Sequence, residues 1–164
     1  MRMPFRLSPR LPSFDYVGLY RYSVTICTFR RQRVFLNDAC VDLVCTQLRI
    51  AAVENDFAIV AYCFMPDHVH LLPEGQTDGS DFLRFMRSFK QRSAFHWKQR
   101  YRGQLWQRGY IERVLRDEED SFKLARYIFE NPLRAGLVRV PEEYPYSGSF
   151  VMGTGDVLDS IRRT

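Results

Sequence analysis

Two histidines at i and i+2 are the residues whose types and spacing first suggest chemistry in this chain. His68 and His70 flank Val69 inside the apolar run 62–72. Because successive side chains of a strand point to opposite faces, both imidazoles would leave one face while Val69 enters the core. Neutral imidazole is a common metal ligand and is costly to bury without a partner. The spacing alone leaves two interpretations open, a metal or catalytic pair and a structural pair.

A second pair, Tyr127 and Asn131, lies further along the chain. Four apart in a predicted helix, the two side chains share a face and lie about 6 Å apart along the axis. Taken singly, such a tyrosine usually packs, and an asparagine before proline usually marks a helix end. With the histidines, they supply what metal-assisted phosphoryl transfer requires: imidazoles and an amide oxygen for a divalent cation, and a phenol as nucleophile. Glu112 and Asp67 are further candidates for a ligand or proton acceptor, although a solvated carboxylate is the commoner case.

The elements that must position these residues follow from periodicity and turn signals. The expected order is β-α-β-β-α-β followed by one more helix, over residues 20–29, 37–52, 57–64, 68–72, 82–97, 109–115 and 118–131. Asn37 is the expected N-cap of the first helix. Pro132 is expected to end the last helix, because the residue before a proline is pushed out of the helical region. Pro73 predicts that the histidine strand ends early or runs at an edge of the sheet.

This order predicts an α+β fold, a ferredoxin-like sandwich whose antiparallel sheet carries its helices on one face, plus a C-terminal helix with the tyrosine. The length of 164 residues suits one domain. Within it we expect an irregular basic arm over 1–15, a core over 16–149 and a tail over 150–164. The four cysteines form no C-x-x-C pair, and neither a secretory signal nor a membrane span is recognisable. These features predict reduced cysteines, a cytoplasmic location and no membrane partner.

Charge is concentrated in one stretch. The chain has a formal net charge of +5 and 15% aromatic residues. Residues 84–116 hold ten Lys or Arg against Glu112 as their only acid, with aromatic rings interleaved. Cations that follow phosphates and rings that stack on bases are typical of single-stranded nucleic-acid binding. The residues predicted to make these contacts are Arg84, Arg87, Lys90, Arg92, Lys98, Arg100, Arg102 and Arg108. His96, alone in this region, is left out of the metal site.

Three separated motifs, MPDHVHLL, LWQRGYIERVLRDEE and YIFENPLRAGLV, resemble those of the REP-associated tyrosine transposases. These are relatives of the single-tyrosine insertion-sequence transposases in the HUH endonuclease superfamily. The resemblance extends over residues 20–149. It implies that His68 and His70 bind a divalent Mg or Mn ion, that Asn131 is the third ligand, and that Tyr127 is the nucleophile.

The function implied is that of a metal-dependent single-stranded DNA endonuclease and transesterase, acting beside DNA hairpins through a covalent 5′-phosphotyrosine. The resemblance favours a monomer, whereas in dimeric insertion-sequence relatives the partner can supply the tyrosine helix. Those relatives commonly have glutamine at the position of Asn131. Imidazoles alone would favour Zn, Ni or Cu, so phosphate and water oxygens would have to complete a shell for Mg or Mn.

Other protein classes share parts of this pattern. Histidine-triad hydrolases also carry H-x-H on a strand, but they need a third histidine where this chain has Leu72. Replication initiators and relaxases share the HUH core and usually carry larger additional parts. The remaining alternative is a non-catalytic or domesticated nucleic-acid-binding protein with the same fold.

Overall fold

The structure of the chain is a computed structural model that describes residues 10–116 and 118–163. The strands are β1 Arg21–Cys27, β2 Phe57–Met65, β3 His68–Gly75, β4 Ile111–Leu115 and β5 Ser147–Gly148. The helices are α1 Asp38–Glu54, α2 Phe82–Tyr101, α3 Glu118–Arg134 and α4 Thr154–Arg162. The strands form one antiparallel sheet in the spatial order β4-β1-β3-β2-β5. Residues 1–9 of the expected basic arm lie outside the described residues.

Alternation along the strands divides the side chains between the two faces of the sheet. On one face, Val24 and Leu71 lie in a core shared with the apolar stripes of α1 and α2, here called the α1–α2 face. On the other, the α3 face, Ala61 and Leu72 share a smaller core with α3 and α4. Burying a side chain such as Leu72 completely contributes about 1.5–3 kcal/mol. The sheet therefore carries helices on both faces, and the helix that bears Tyr127 has a face largely to itself.

The predicted capping of the first helix is confirmed. The Asn37 side chain accepts a hydrogen bond from the backbone N–H of Cys40 at 3.0 Å. Asp81 caps α2 in the same way by accepting from the N–H of Arg84 at 3.0 Å. Each cap satisfies one of the N–H groups that the first turn of a helix leaves unpaired. Both helices of the α1–α2 face thus begin at a side chain that the sequence supplies for that purpose.

The expectation that Pro73 ends β3 or places it at an edge is wrong. β3 extends to Gly75 and lies at the centre of the sheet, between β1 and β2. Pro73 pairs with Ile59, next to a register shift between Ile59 and Ala61 of β2. A proline that donates no hydrogen bond is tolerated inside a sheet where such an irregularity interrupts the ladder.

The expectation that Pro132 ends the last helix is also wrong. α3 continues to Arg134, and the chain then turns at Gly136, which has a φ of 72°. The N–H of Gly136 donates to Leu133 O at 3.0 Å and the N–H of Leu137 to Pro132 O at 2.9 Å. This is a Schellman ending, which a glycine in the left-handed region favours. In the part of the chain that the structure describes, no helix has the length and apolar character needed to cross a membrane.

Candidate active site on the α3 face

The two histidines emerge together on the α3 face, as the i, i+2 spacing predicts. Val69 between them is buried in the opposite core. The Nε2 atoms of His68 and His70 lie 3.0 Å apart, and the two rings are nearly perpendicular at 88°. Two ring nitrogens therefore converge on one point. A proton or a metal cation at that point offsets the repulsion between their lone pairs.

Each imidazole is held at its other nitrogen. Nδ1 of His68 donates to Oδ1 of Asp67 at 2.6 Å, and Asp67 also accepts from Nε of Arg31 at 3.0 Å. Nδ1 of His70 lies 3.1 Å from the hydroxyl of Thr25, the residue paired with it on β1. Partners of this kind fix the orientation and tautomer of metal-binding histidines, and they leave Nε2 free to coordinate.

Burial and charge set the ionisation of this cluster. Burial, together with the charges of His68, Arg134 and Arg31, lowers the pKa of His70 to about 3. Burial alone would raise the pKa of Asp67, but the hydrogen bond from His68 and the charges of His68 and Arg31 outweigh it and lower that pKa. Asp67 is thus an anion and His70 a neutral base near neutral pH. Neutral imidazole is the form that binds metal.

The histidine pair fits a divalent cation. Two ligands about 2.1 Å from one cation and at right angles are about 3.0 Å apart, which is the spacing of the two Nε2 atoms. Among the described residues, no group of three or more His, Cys, Asp or Glu is placed to bind a metal ion. Other ligands would have to come from amide, water or phosphate oxygens, the donors that Mg and Mn prefer.

Tyr127 lies beside the histidines within the same chain. The apolar side chains of α3, which include Ala125, Ile128 and Phe129, pack on the sheet. Tyr127 therefore lies at the flank of the helix and is 49% exposed. Its ring centroid is 6.1 Å from that of His70, and the ring planes are nearly perpendicular at 84°. A phenol so placed can be reached by a large substrate from solvent.

Asn131 lies one turn further along α3. Its amide nitrogen donates to the backbone oxygen of Tyr127 at 3.4 Å. Within the described chain, no hydrogen bond joins Asn131 to either imidazole. Glu112, considered above as a ligand or proton acceptor, lies on the opposite face, because its partner on β1 is the core residue Val24.

The α2 part of the basic stretch lies on the opposite face of the sheet from the histidines. Most cations of the stretch belong to α2, which covers the α1–α2 face. Of the eight predicted to contact nucleic acid, six are exposed: Arg84, Arg87, Lys98, Arg100, Arg102 and Arg108. The other two have internal partners. The amine of Lys90 donates to Gln107 O at 3.1 Å and to Gly109 O at 2.8 Å, and Arg92 forms an ion pair with Glu54. Burial lowers the pKa of Lys90 to about 8.

Sequence reasoning missed three residues of this site and the orienting role of a fourth, Asp67. Thr25 and Arg31 hold the cluster from outside, Asp67 was considered only as a ligand or proton acceptor, and Arg134 packs on the ring of Tyr127. Two of these had a readable signal: Asp67 adjoins His68, and Arg134 lies two helical turns after Tyr127. Thr25 and Arg31 depend on strand register and loop shape, which the sequence pattern does not specify.

The fold and this site define an α+β protein with a paired-histidine centre and a facing tyrosine. The chain belongs to the family described as Transposase IS200 like, whose model matches residues 16–131. A protein of Haemophilus influenzae with the provisional name REP-associated tyrosine transposase is 33% identical over 102 residues. The REP-associated tyrosine transposase of Escherichia coli is 28% identical over 98 residues. These matches cover 56% and 57% of this chain.

The chain spans little more than half the length of these curated relatives, 58% and 55% respectively. Among solved structures, a REP-associated tyrosine transposase bound to a REP hairpin matches with a TM-score of 0.72 at 19% identity, over 85% of this chain and 82% of that one. At that identity the match establishes the fold. A protein of Deinococcus radiodurans provisionally described as a transposase matches with a TM-score of 0.50 at 30% identity, over 74% and 96%.

Proposed function

We propose that this chain cleaves single-stranded DNA beside a hairpin and joins itself to the new 5′ end through Tyr127, in a metal-dependent reaction. The observation that carries the proposal is the convergence of the two Nε2 atoms next to a perpendicular, accessible tyrosine ring in the same chain. Structural histidine pairs do not need a facing phenol. Metal-assisted phosphoryl transfer through a covalent tyrosine intermediate uses a metal site and a phenol side by side.

In the proposed step, Oη of Tyr127 attacks the scissile phosphorus as the phenolic proton passes to water. An O–P bond to tyrosine forms, and the bond from phosphorus to the 3′ oxygen breaks. The departing 3′ oxygen takes up a proton and becomes a hydroxyl. Because one phosphodiester replaces another, a 3′ hydroxyl can attack the phosphotyrosine and rejoin the strand.

The residues that would hold the metal are His68 and His70, with Mg or Mn as the ion and the amide oxygen of Asn131 as a third ligand. Bound there, the ion would polarise the phosphate and offset negative charge on the leaving oxygen. Asp67 and Thr25 orient the two imidazoles. Arg31 keeps the Asp67 carboxylate turned towards His68 through its ion pair.

The DNA surfaces follow from where cations lie. The structural neighbour was solved with a REP hairpin, and we propose hairpin DNA as the substrate here. The exposed α2 cations would contact duplex phosphates. Arg30 and Arg33 are exposed in the loop after β1, on either side of Arg31, and Arg113 is exposed on β4 opposite Ser23. These three would contact the single strand on the α3 face.

We propose that one chain suffices for cleavage, as a monomer acting on DNA in the cytoplasm. In the insertion-sequence arrangement with a shared site, the tyrosine comes from the partner. Here the 6.1 Å separation of the His70 and Tyr127 rings within one chain supports action in cis. No partner helix is required to complete the pair.

The test uses a labelled hairpin oligonucleotide with single-stranded flanks, incubated with the protein and Mg²⁺ or Mn²⁺. Wild type should give a denaturant-resistant protein–DNA adduct that EDTA abolishes. Tyr127→Phe should bind the hairpin with unchanged affinity and form no adduct, while Tyr101→Phe, an exposed tyrosine on α2, should behave as wild type. A wild type that binds the hairpin and never forms an adduct would instead identify a non-catalytic DNA-binding protein.

A further inference from the structure

We infer that Arg134 is the positioning residue that holds the ring of Tyr127 towards the histidine pair. This inference rests on the proposed function, in which Tyr127 is the nucleophile. It concerns a residue of the third motif, YIFENPLRAGLV, that neither the metal site nor the nucleophile uses.

Arg134 contacts both the ring and the backbone of Tyr127. Its guanidinium carbon lies 4.0 Å from the centroid of the tyrosine ring, within the range of a cation–π contact. Its Nη2 donates to the backbone oxygen of Tyr127, and its Nη1 donates to Oε2 of Glu130 at 3.2 Å. The planar guanidinium is therefore fixed at two edges while it covers the ring. Arginine can do this because it is a rigid fork with several donors.

The continuation of α3 past Pro132 makes these contacts available. Seven residues are almost two full turns, so Arg134 lies on the same side of the helix as Tyr127. Had the helix ended before Pro132, this alignment would be lost. The Schellman hydrogen bonds at Gly136 close the last turn and keep Arg134 in helical geometry.

Tyr127 needs such a constraint. Its side chain is 49% exposed, and in the described residues no hydrogen bond involves its hydroxyl. An exposed side chain of this kind changes rotamer on the picosecond to nanosecond scale. The ring nevertheless stands perpendicular to His70. Among the described residues, the tyrosine ring has one aromatic neighbour, the ring of His70, and one cation over its face, the guanidinium of Arg134.

The helix also offers a matched control. Arg126 forms an ion pair with Glu130 at 2.8 Å, from the opposite direction to Arg134. Among the described residues, the partner of its guanidinium is Glu130, and no hydrogen bond or cation–π contact joins it to Tyr127. Arg126→Met removes the same charge, from the same helix and the same acidic partner, and leaves the tyrosine contacts in place.

The experiment measures single-turnover adduct formation at saturating hairpin DNA, together with the Kd for that DNA. Arg134→Met should slow adduct formation by about 10-fold or more, because a misplaced nucleophile loses reactive geometry, and should leave the Kd within about twofold. Arg134→Lys, which keeps the charge and loses the fork, should recover part of the rate at most. Arg126→Met should match wild type in both quantities.

A second readout does not depend on cleavage. In protein labelled with ¹³C in its tyrosine rings, the Tyr127 signals are identified by their loss in Tyr127→Phe. They should shift in Arg134→Met and stay in place in Arg126→Met. Unshifted signals, an adduct rate in Arg134→Met equal to wild type, or a rate loss matched by an equal loss of DNA affinity would each overturn the inference while the proposed function stands. A wild type that forms no adduct would overturn the proposed function first.

Discussion

The α1–α2 face and the α3 face use the same strand for opposite purposes. On β3, Val69 and Leu71 are fully buried under α1 and α2, whereas His68 and His70 point towards α3. Apolar contacts on one face fix the strand at the centre of the sheet, and this fixes the direction of the imidazoles on the other. Packing on the α1–α2 face therefore positions the residues of the chemistry proposed for the α3 face.

The two faces also differ in how they use charge. The α1–α2 layer presents many exposed cations on α2 and absorbs others internally, as Lys90 does. On the α3 face, Arg31 is paired with Asp67 and Arg134 packs on the ring of Tyr127. The exposed cations of the α1–α2 face suit general attraction of a polyanion. On the α3 face the cations orient particular groups.

The largest expected effect comes from removing a histidine of the α3 face. His70→Ala should reduce metal-dependent adduct formation by more than about 100-fold, since a Lewis-acid metal contributes several kcal/mol to such a step. His96→Ala, on the exposed surface of α2, should change it by less than about twofold. Calorimetric titration with Mn²⁺ should show binding lost in the first variant and kept in the second. Adduct formation that survives in His70→Ala contradicts the metal role.

A smaller effect on metal binding is expected from Asp67, which contacts His68. Asp67→Asn keeps the shape of the side chain but removes the charge that orients His68, and outer partners of this kind are worth about 10- to 100-fold in metal affinity. Asp78→Asn, in an exposed loop, is the control. Equal Mn²⁺ affinities in the two variants would show that the link between Arg31, Asp67 and His68 is not functional.

Some features of the two faces could be predicted from the sequence and others could not, depending on whether the interactions are local or distant. Local rules succeeded where one residue decides, as with the Asn37 cap and the i, i+2 placement of His68 and His70. They failed at Pro73 and Pro132, because the bulge opposite one and the Schellman turn after the other lie in distant or later residues. Pattern alone also does not assign a helix to a face of the sheet. The cations of residues 84–116 could therefore be recognised in the sequence, but their distance from the histidines could not be predicted.

An effect of intermediate size should separate the two faces as DNA surfaces. Replacing Arg30 and Arg33 by alanine should weaken binding of a single-stranded flank oligonucleotide by about 10-fold and lower its salt slope by about 1.4, as expected for two lost single-strand phosphate contacts. Replacing Arg84 and Arg87 should affect an isolated hairpin duplex more than the flank. Fluorescence anisotropy at several salt concentrations distinguishes these outcomes. The assignment of surfaces is wrong if the two double substitutions weaken binding of the flank oligonucleotide and of the hairpin duplex equally.

The smallest effect on DNA is expected at Lys90. Its amine is already bonded to two backbone oxygens, so Lys90→Met should leave hairpin affinity within about twofold of wild type. Its pKa of about 8 lies below the ordinary 10.5, so the unfolded chain binds more protons between these values. This group therefore makes the free energy of unfolding rise with pH from about 8 to 10.5. Denaturant titrations across that window should show the rise in wild type, and the rise should be smaller in Lys90→Met. If the free energies of unfolding of wild type and Lys90→Met change with pH in parallel, Lys90 is not the group responsible for the rise.

The most direct test of the proposed role of Tyr127 is to locate the covalent bond to DNA. After incubation with Mn²⁺ and a hairpin oligonucleotide with single-stranded flanks, the adduct is digested with nuclease and protease, and the modified peptide is sequenced by mass spectrometry. We expect one modified residue, Tyr127, carrying a 5′-linked nucleotide. A nucleotide on another tyrosine, or on none in protein that has cleaved the strand, would contradict the central claim that the α3 face carries the nucleophile.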